Sequence, residues 1–135
     1  MGITTAMGSA IYGKLAAGTA LTDKLGGTAI YNTLAPQGTA CPYVIFSLVG
    51  GGDDNTSPRR ARSTLWTVKA VSTVGPLEAG QIDDLVDDLL HQGALTVTGW
   101  GDYWMARESD FAFPETAGGV VYWHTGATYR VRVAE

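Results

Sequence analysis

The densest chemistry in the chain is carried by Asp83, Asp84, Asp87 and Asp88, followed by His91. Carboxylates at i and i+4 share one side of a helix, an arrangement suited to holding a cation or to acid–base work. The string Asp83-Asp84-Leu85-Val86-Asp87 has the spacing of the aspartate-rich metal motif of prenyl-diphosphate enzymes. Those enzymes are large and all-helical and need a second acidic motif; this chain has neither. The pairs Asp83/Asp87 and Asp84/Asp88 also repel along a helix. The four aspartates therefore read as a solvated face, and functionally as an acidic contact surface for a neighbouring subunit.

Other reactive residues lack partners in sequence. His91 and His124 are the two histidines, and Cys41 is the one cysteine, so no intrachain disulfide is possible. No spacing resembles a zinc site, and no nucleophile motif anchors a Ser-His-Asp triad. Gly50-Gly51-Gly52 lacks the Lys-Ser/Thr sequel and the following helix of a phosphate loop. Trp100, Tyr103 and Trp104 near Arg107 have the composition of a stacking platform for single strands or sugars. Strand alternation favours core packing or a subunit interface for them instead. No catalytic residue, cofactor-binding residue or metal ligand is assigned, and the chain reads as non-enzymatic. A small metal-dependent enzyme built on Asp83, Asp87 and His91 is the weakest alternative.

The 135 residues fit one domain, residues 1–135, and 45% hydrophobic content supports a packed core. A formal charge of −4 argues against wholesale nucleic-acid binding. No apolar run approaches the ~20 residues of a membrane span. The opening MGITTAMGSA lacks the basic and apolar regions of a signal peptide.

The elements that must position these residues follow from periodicity. Ile3, Met7, Ile11 and Leu15 recur every four residues and predict a first helix. A short second helix, capped by Thr19, ends at Gly26-Gly27. Strands are expected at 29–34, 43–49 and 63–72, then a helix from Pro76 carrying Ile82, Leu85, Val86, Leu89 and Leu90. Further strands are expected at 95–98, 103–113 and 120–133. Between the second and third strands runs a polar connector, Gly50 to Arg62, with Asp53 and Asp54 at one end and Arg59, Arg60 and Arg62 at the other. It has no period of its own and reads as a projecting loop at the tip of an extended hairpin. The fold class is α+β: one domain, a mostly antiparallel sheet, helices packed on one face.

This order of segments resembles the tail-terminator, or tail-completion, proteins of long-tailed bacteriophages. The resemblance is carried by the N-terminal helix pair, then Gly27-Thr28-Ala29-Ile30-Tyr31-Asn32 and Cys41-Pro42-Tyr43-Val44-Ile45-Phe46. It continues through the polar connector, Trp66 to Ser72, the helix from Ala79 to Leu90 and the closing Tyr129-Arg130-Val131-Arg132-Val133. It implies a structural virion protein with no cofactor, assembled in the host cytoplasm. Such proteins form a ring, commonly hexameric, on the head-proximal end of the tail tube. The ring stops tube polymerisation and presents a surface to head-completion or neck proteins, and DNA passes transiently through its lumen. The implied partners are further copies of the chain, tail-tube protein and neck protein. A head-side connector is the alternative placement, and a nucleic-acid or carbohydrate module a more distant one. Opposite charge density singles out Arg59, Arg60, Arg62, Asp53, Asp54, Asp83, Asp84, Asp87 and Asp88 as candidate interaction residues.

Overall fold

The computed structural model describes residues 2–53, 61–91, 95 and 97–134, with only the backbone of 102 and 103. The chain runs α1 (Ile3–Ala16), α2 (Thr19–Leu25), β1 (Ile30–Asn32), β2 (Tyr43–Asp53), β3 (Ala61–Ser72), α3 (Pro76–Leu90), β4 (Gly101–Ala117) and β5 (Val120–Ala134). The five strands form one sheet in the order β1-β2-β3-β5-β4. Every pairing is antiparallel except the short one of β1 with β2. The α+β class and the hairpin-dominated sheet thus match the expectation from sequence.

The three helices cover one face. On β3, Thr64, Trp66, Val68 and Ala70 point toward them; on β5, Ala127, Tyr129, Val131 and Val133 do so. Alternate residues, such as Thr67, Lys69, Thr128 and Arg130, face the other side and remain part-exposed. From α1, Met7, Ile11 and Leu15 are fully buried at the predicted spacing. Gly8 of that helix faces Trp66, where an added Cβ would stand 3.6 Å from the indole, in ordinary contact. The Trp66 indole N–H donates to Thr64 Oγ1 at 3.1 Å, which satisfies the one polar atom of that ring in the core.

Local chemistry explains the helix ends. Gly26 takes the left-handed conformation after α2, its N–H bonds Asp23 O, and Gly27 N–H bonds Thr22 O at 2.9 Å. That pair of bonds is a Schellman motif, which satisfies the last carbonyls. α3 begins with Pro76, and the buried Ser72 hydroxyl donates to Glu78 Oε1 at 3.0 Å while accepting from Val74 N–H. The α1–α2 corner is tight: a Cβ on Gly18 would meet Leu89 of α3. Gly18, rather than Thr19, occupies the N-cap position of α2, and no side chain caps that end.

Two expected elements differ. Leu95 and Val97 are buried but join no strand among the described residues; the chain turns there instead, with Trp100 N–H on Val97 O. Their alternation reflects two side chains plugging the core from a loop. The connector is also shorter than its composition implied. β2 continues through Gly50–Asp53 and β3 begins at Ala61, so Gly51 pairs Thr64 and Asp53 pairs Arg62. Glycines carry no hydropathy, so this strand has no readable period. At Gly51, φ is +156° and a Cβ would meet Ser63 O at 2.5 Å, so the close strand approach requires glycine.

Candidate functional site

The acidic helix meets the sheet through one guanidinium. Arg107 of β4 points to the helix-covered face and donates to both Asp83 oxygens, at 2.9 Å through Nη2 and 3.3 Å through Nη1. Nη1 also donates to the Tyr129 hydroxyl at 3.1 Å and lies 3.6 Å from Asp87 Oδ1. Tyr129 in turn donates to Asp87 Oδ1 at 3.0 Å, and Arg107 Nε donates to Asp110. Burial works against the Arg107 charge, but the bonds to Asp83 and Asp110 outweigh it and hold the guanidinium above its usual pKa. The Tyr129 hydroxyl is pushed up by burial and by its bond to Asp87, against the opposing pull of Arg107. The Arg107 backbone N–H donates to His91 Nδ1 at 3.1 Å, so the end of α3 is tied to the same strand.

The expectation of a solvated face therefore fails at Asp83, whose side chain is 8% exposed. Asp83 and Asp87 face a cation of their own chain, whereas Asp84 and Asp88 remain exposed. The signal was present in sequence. Asp83 falls on the apolar stripe of α3, with Ala79, Ile82 and Val86, so its carboxylate had to find a partner indoors. What sequence did not provide is the partner, Arg107 on the next element, β4. Among the described residues, no cluster of three or more His, Cys, Asp or Glu is placed to hold a metal.

At the far end of the sheet, Arg62 Nε lies 3.4 Å from Asp53 Oδ1 across the β2–β3 ladder. The two ends of the polar connector thus hold each other. Asp54, Arg59 and Arg60 lie outside the described residues. The aromatic cluster does not assemble as a platform. Trp100 packs against the core, Trp104 stands 50% exposed on β4, and Arg107 is engaged by α3. The Tyr103 side chain lies outside the described set.

A second cluster, absent from the sequence reading, occupies the uncovered face. His124 stacks on Phe113 with ring centroids 4.6 Å apart, and its Nε2 lies 3.2 Å from Glu115 Oε1. Lys69 Nζ sits 5.7 Å from the centre of the Phe113 ring. Burial first, and then Lys69, lower the His124 pKa against the pull of Glu115. Gly126 lets β3 and β5 close up beside this cluster, since a Cβ there would strike Val68 O and Lys69 Cα.

These ion pairs tie α3 and the strands of the sheet to one another. The sequence decides what kind of protein carries them: residues 9–133 match the family described as Tail completion protein gp17. The chain belongs to that family. A tail completion protein is a structural component of a phage-type tail, so the surfaces described above are read as those of a virion protein. A chain of the virion of a native gene transfer agent particle has the same fold, with a TM-score of 0.76 and 20% identity over 98% of each chain. A second solved structure superposes with a TM-score of 0.58 at 15% identity, covering 95% of this chain and 94% of the other. No curated protein matches the sequence. Among the described residues no helix is long and apolar enough to cross a membrane.

Proposed function

We propose that this tail completion protein caps the head-proximal end of the tail tube as a ring, ends tube polymerisation and presents the surface to which neck proteins join. The observation that carries the reading is the family match from residue 9 to 133, which spans both the ion-pair seam and both long hairpins. The geometry supports it in a specific way. The seam joining α3 to β4 and β5 is closed internally by Arg107, so the chain is a preformed unit suited to rigid assembly. Asp84 and Asp88 on α3 are left outward, where they can complement neighbours. Arg59, Arg60 and Arg62 on one copy would face such acidic surface on the next copy or on the tube. The ring is hexameric in this proposal, its partners are tube and neck proteins, and DNA crosses its lumen without sequence-specific contact.

The test mixes purified protein with tail-tube subunits and reads mass by light scattering and tube length by electron microscopy. Ring-shaped caps and a narrowed length distribution are expected. Joint reversal of Arg59, Arg60 and Arg62 to Glu should weaken capping. Tubes of unchanged length with bare ends in the presence of the wild-type chain would overturn the proposal. Caps on portal or adaptor rings rather than on tubes would move it to the head side.

A further inference from the structure

Two uncharged surfaces lie outside the ion pairs. The first is a groove of about 860 Å3 between α1 and the β1–β2 edge of the sheet. Thr5, Ser9 and Tyr12 line it from α1, Asn32 from β1, Leu48 from β2 and Trp66 from β3. No residue lining it is charged, in a chain where 16% are. Tyr12, Leu34 and Leu48 are 41%, 79% and 40% exposed at its rim. β1 covers β2 only from Val44 to Phe46. Among the described residues, the outer edge of β2 from Ser47 to Gly52 therefore has no neighbouring strand. Val44 N–H bonds Ala29 O, and Phe46 O accepts from Thr33 N–H, so by alternation Leu48 also turns its peptide groups outward. One irregularity in pairing lies between Leu48 and Gly50, but nothing between Ser47 and Gly52 carries a charge or a proline to guard the edge. β4, the opposite edge, is guarded by Glu108, Asp110, Pro114, Glu115 and two irregularities in its pairing.

The second surface is the tip of the β4–β5 hairpin. Every residue from Ala112 to Val121 is exposed, and none from Thr116 to Trp123 is charged. Phe113, Val120 and Val121 are 44%, 43% and 37% exposed. β3 follows β5 only as far as the Ser72–Trp123 pair, so Val120 to Tyr122 have a free strand edge. The strand order puts groove and tip on opposite sides of the sheet. A contact between them joins unlike surfaces of two copies, the kind that closes into a ring when its rotation closes.

We propose that the hairpin tip of one copy docks in the α1–β2 groove of the next. Val121 enters the groove, Val120 turns to the opposite face, and the β2 edge adds the incoming strand by main-chain hydrogen bonds. Charge depletion on both sides is the composition of an interface core. This rests on the ring reading and names the contact that would build the ring.

The experiment places Leu48→Cys and Val121→Cys together in a Cys41→Ser background, assembles the protein with tail-tube subunits, and oxidises it. A ladder of covalently linked copies is expected on a non-reducing gel, with no ladder from either cysteine alone. Val121→Asp, at an exposed site, should keep the wild-type melting temperature and weaken self-association at least tenfold. Rings that cap tubes without a ladder, and with Val121→Asp assembling normally, would overturn the docking while leaving the ring in place. So would cross-linking of the tip to a tube subunit. A wild-type chain that never self-associates, even on tube ends, would overturn both.

Discussion

Removing Arg107 separates charge compensation from packing at the seam between α3 and the sheet. In Arg107→Ala the Asp83 carboxylate keeps its position but loses guanidinium bonds at 2.9 and 3.3 Å. Truncating one member of a buried ion pair costs roughly 3–5 kcal/mol, because the other charge stays desolvated. Here the Arg107 side chain is 20% exposed and Asp83 8%, so water reaches the vacated space. That sets the expected loss at the lower end, about 3 kcal/mol. An unfolding entropy of about 2.1 cal/mol/K per residue gives roughly 0.28 kcal/mol/K for a chain of 135 residues. The melting temperature should then fall by about 10 °C, read by calorimetry or circular dichroism. Replacing both partners, as Asp83→Leu with Arg107→Met, should recover most of that loss, because Tyr129 and Asp87 still satisfy each other. An Arg107→Ala protein melting within about 2 °C of wild type would refute the argument. A double variant melting below the single one would refute it as well.

Three further outcomes follow from the same geometry. Gly126→Ala should destabilise by about 1–3 kcal/mol, because its methyl meets the β3 backbone rather than a movable side chain; a denaturant midpoint equal to wild type would contradict this. His124 has a folded pKa below its unfolded value, so its contribution to stability is full above pH about 6.5 and falls as pH drops through and below that value. His124→Gln should accordingly shrink the loss of melting temperature between pH 7.5 and pH 5, and an unchanged slope would count against it. Gly51→Ala should disturb the β2–β3 ladder by placing a methyl against Ser63 O at positive φ, seen as faster amide exchange at Thr64 and Leu65.

What sequence revealed depended on whether a local period carried the information. The α1 stripe of Met7, Ile11 and Leu15 and the β3 alternation of Trp66, Val68 and Ala70 were legible because each residue's neighbours on its own element decide its burial. Gly50 to Gly52 were not, because a strand without side chains is recognised only by its partner, Ser63 to Leu65. Leu95 and Val97 misled for the converse reason: alternation appears wherever two side chains plug a core, paired or not. The parallel placement of Ile30 to Asn32 depends on where the chain returns after Thr33, which no short window contains. The same holds for Arg107. Its composition suggested stacking with Trp104, and only the packing of α3 against β4 and β5 shows that Asp83 claims it.

The β4–β5 hairpin outruns the sheet that supports it, and the six residues at its tip from Thr116 to Val121 are all exposed. Substitutions there leave the folding free energy nearly unchanged, whereas substitutions at Val131 or Val133 cannot. Under the proposed docking, selection on binding and selection on stability would act on separate stretches of one strand. Such a chain is free to exchange partners rapidly while its architecture drifts slowly.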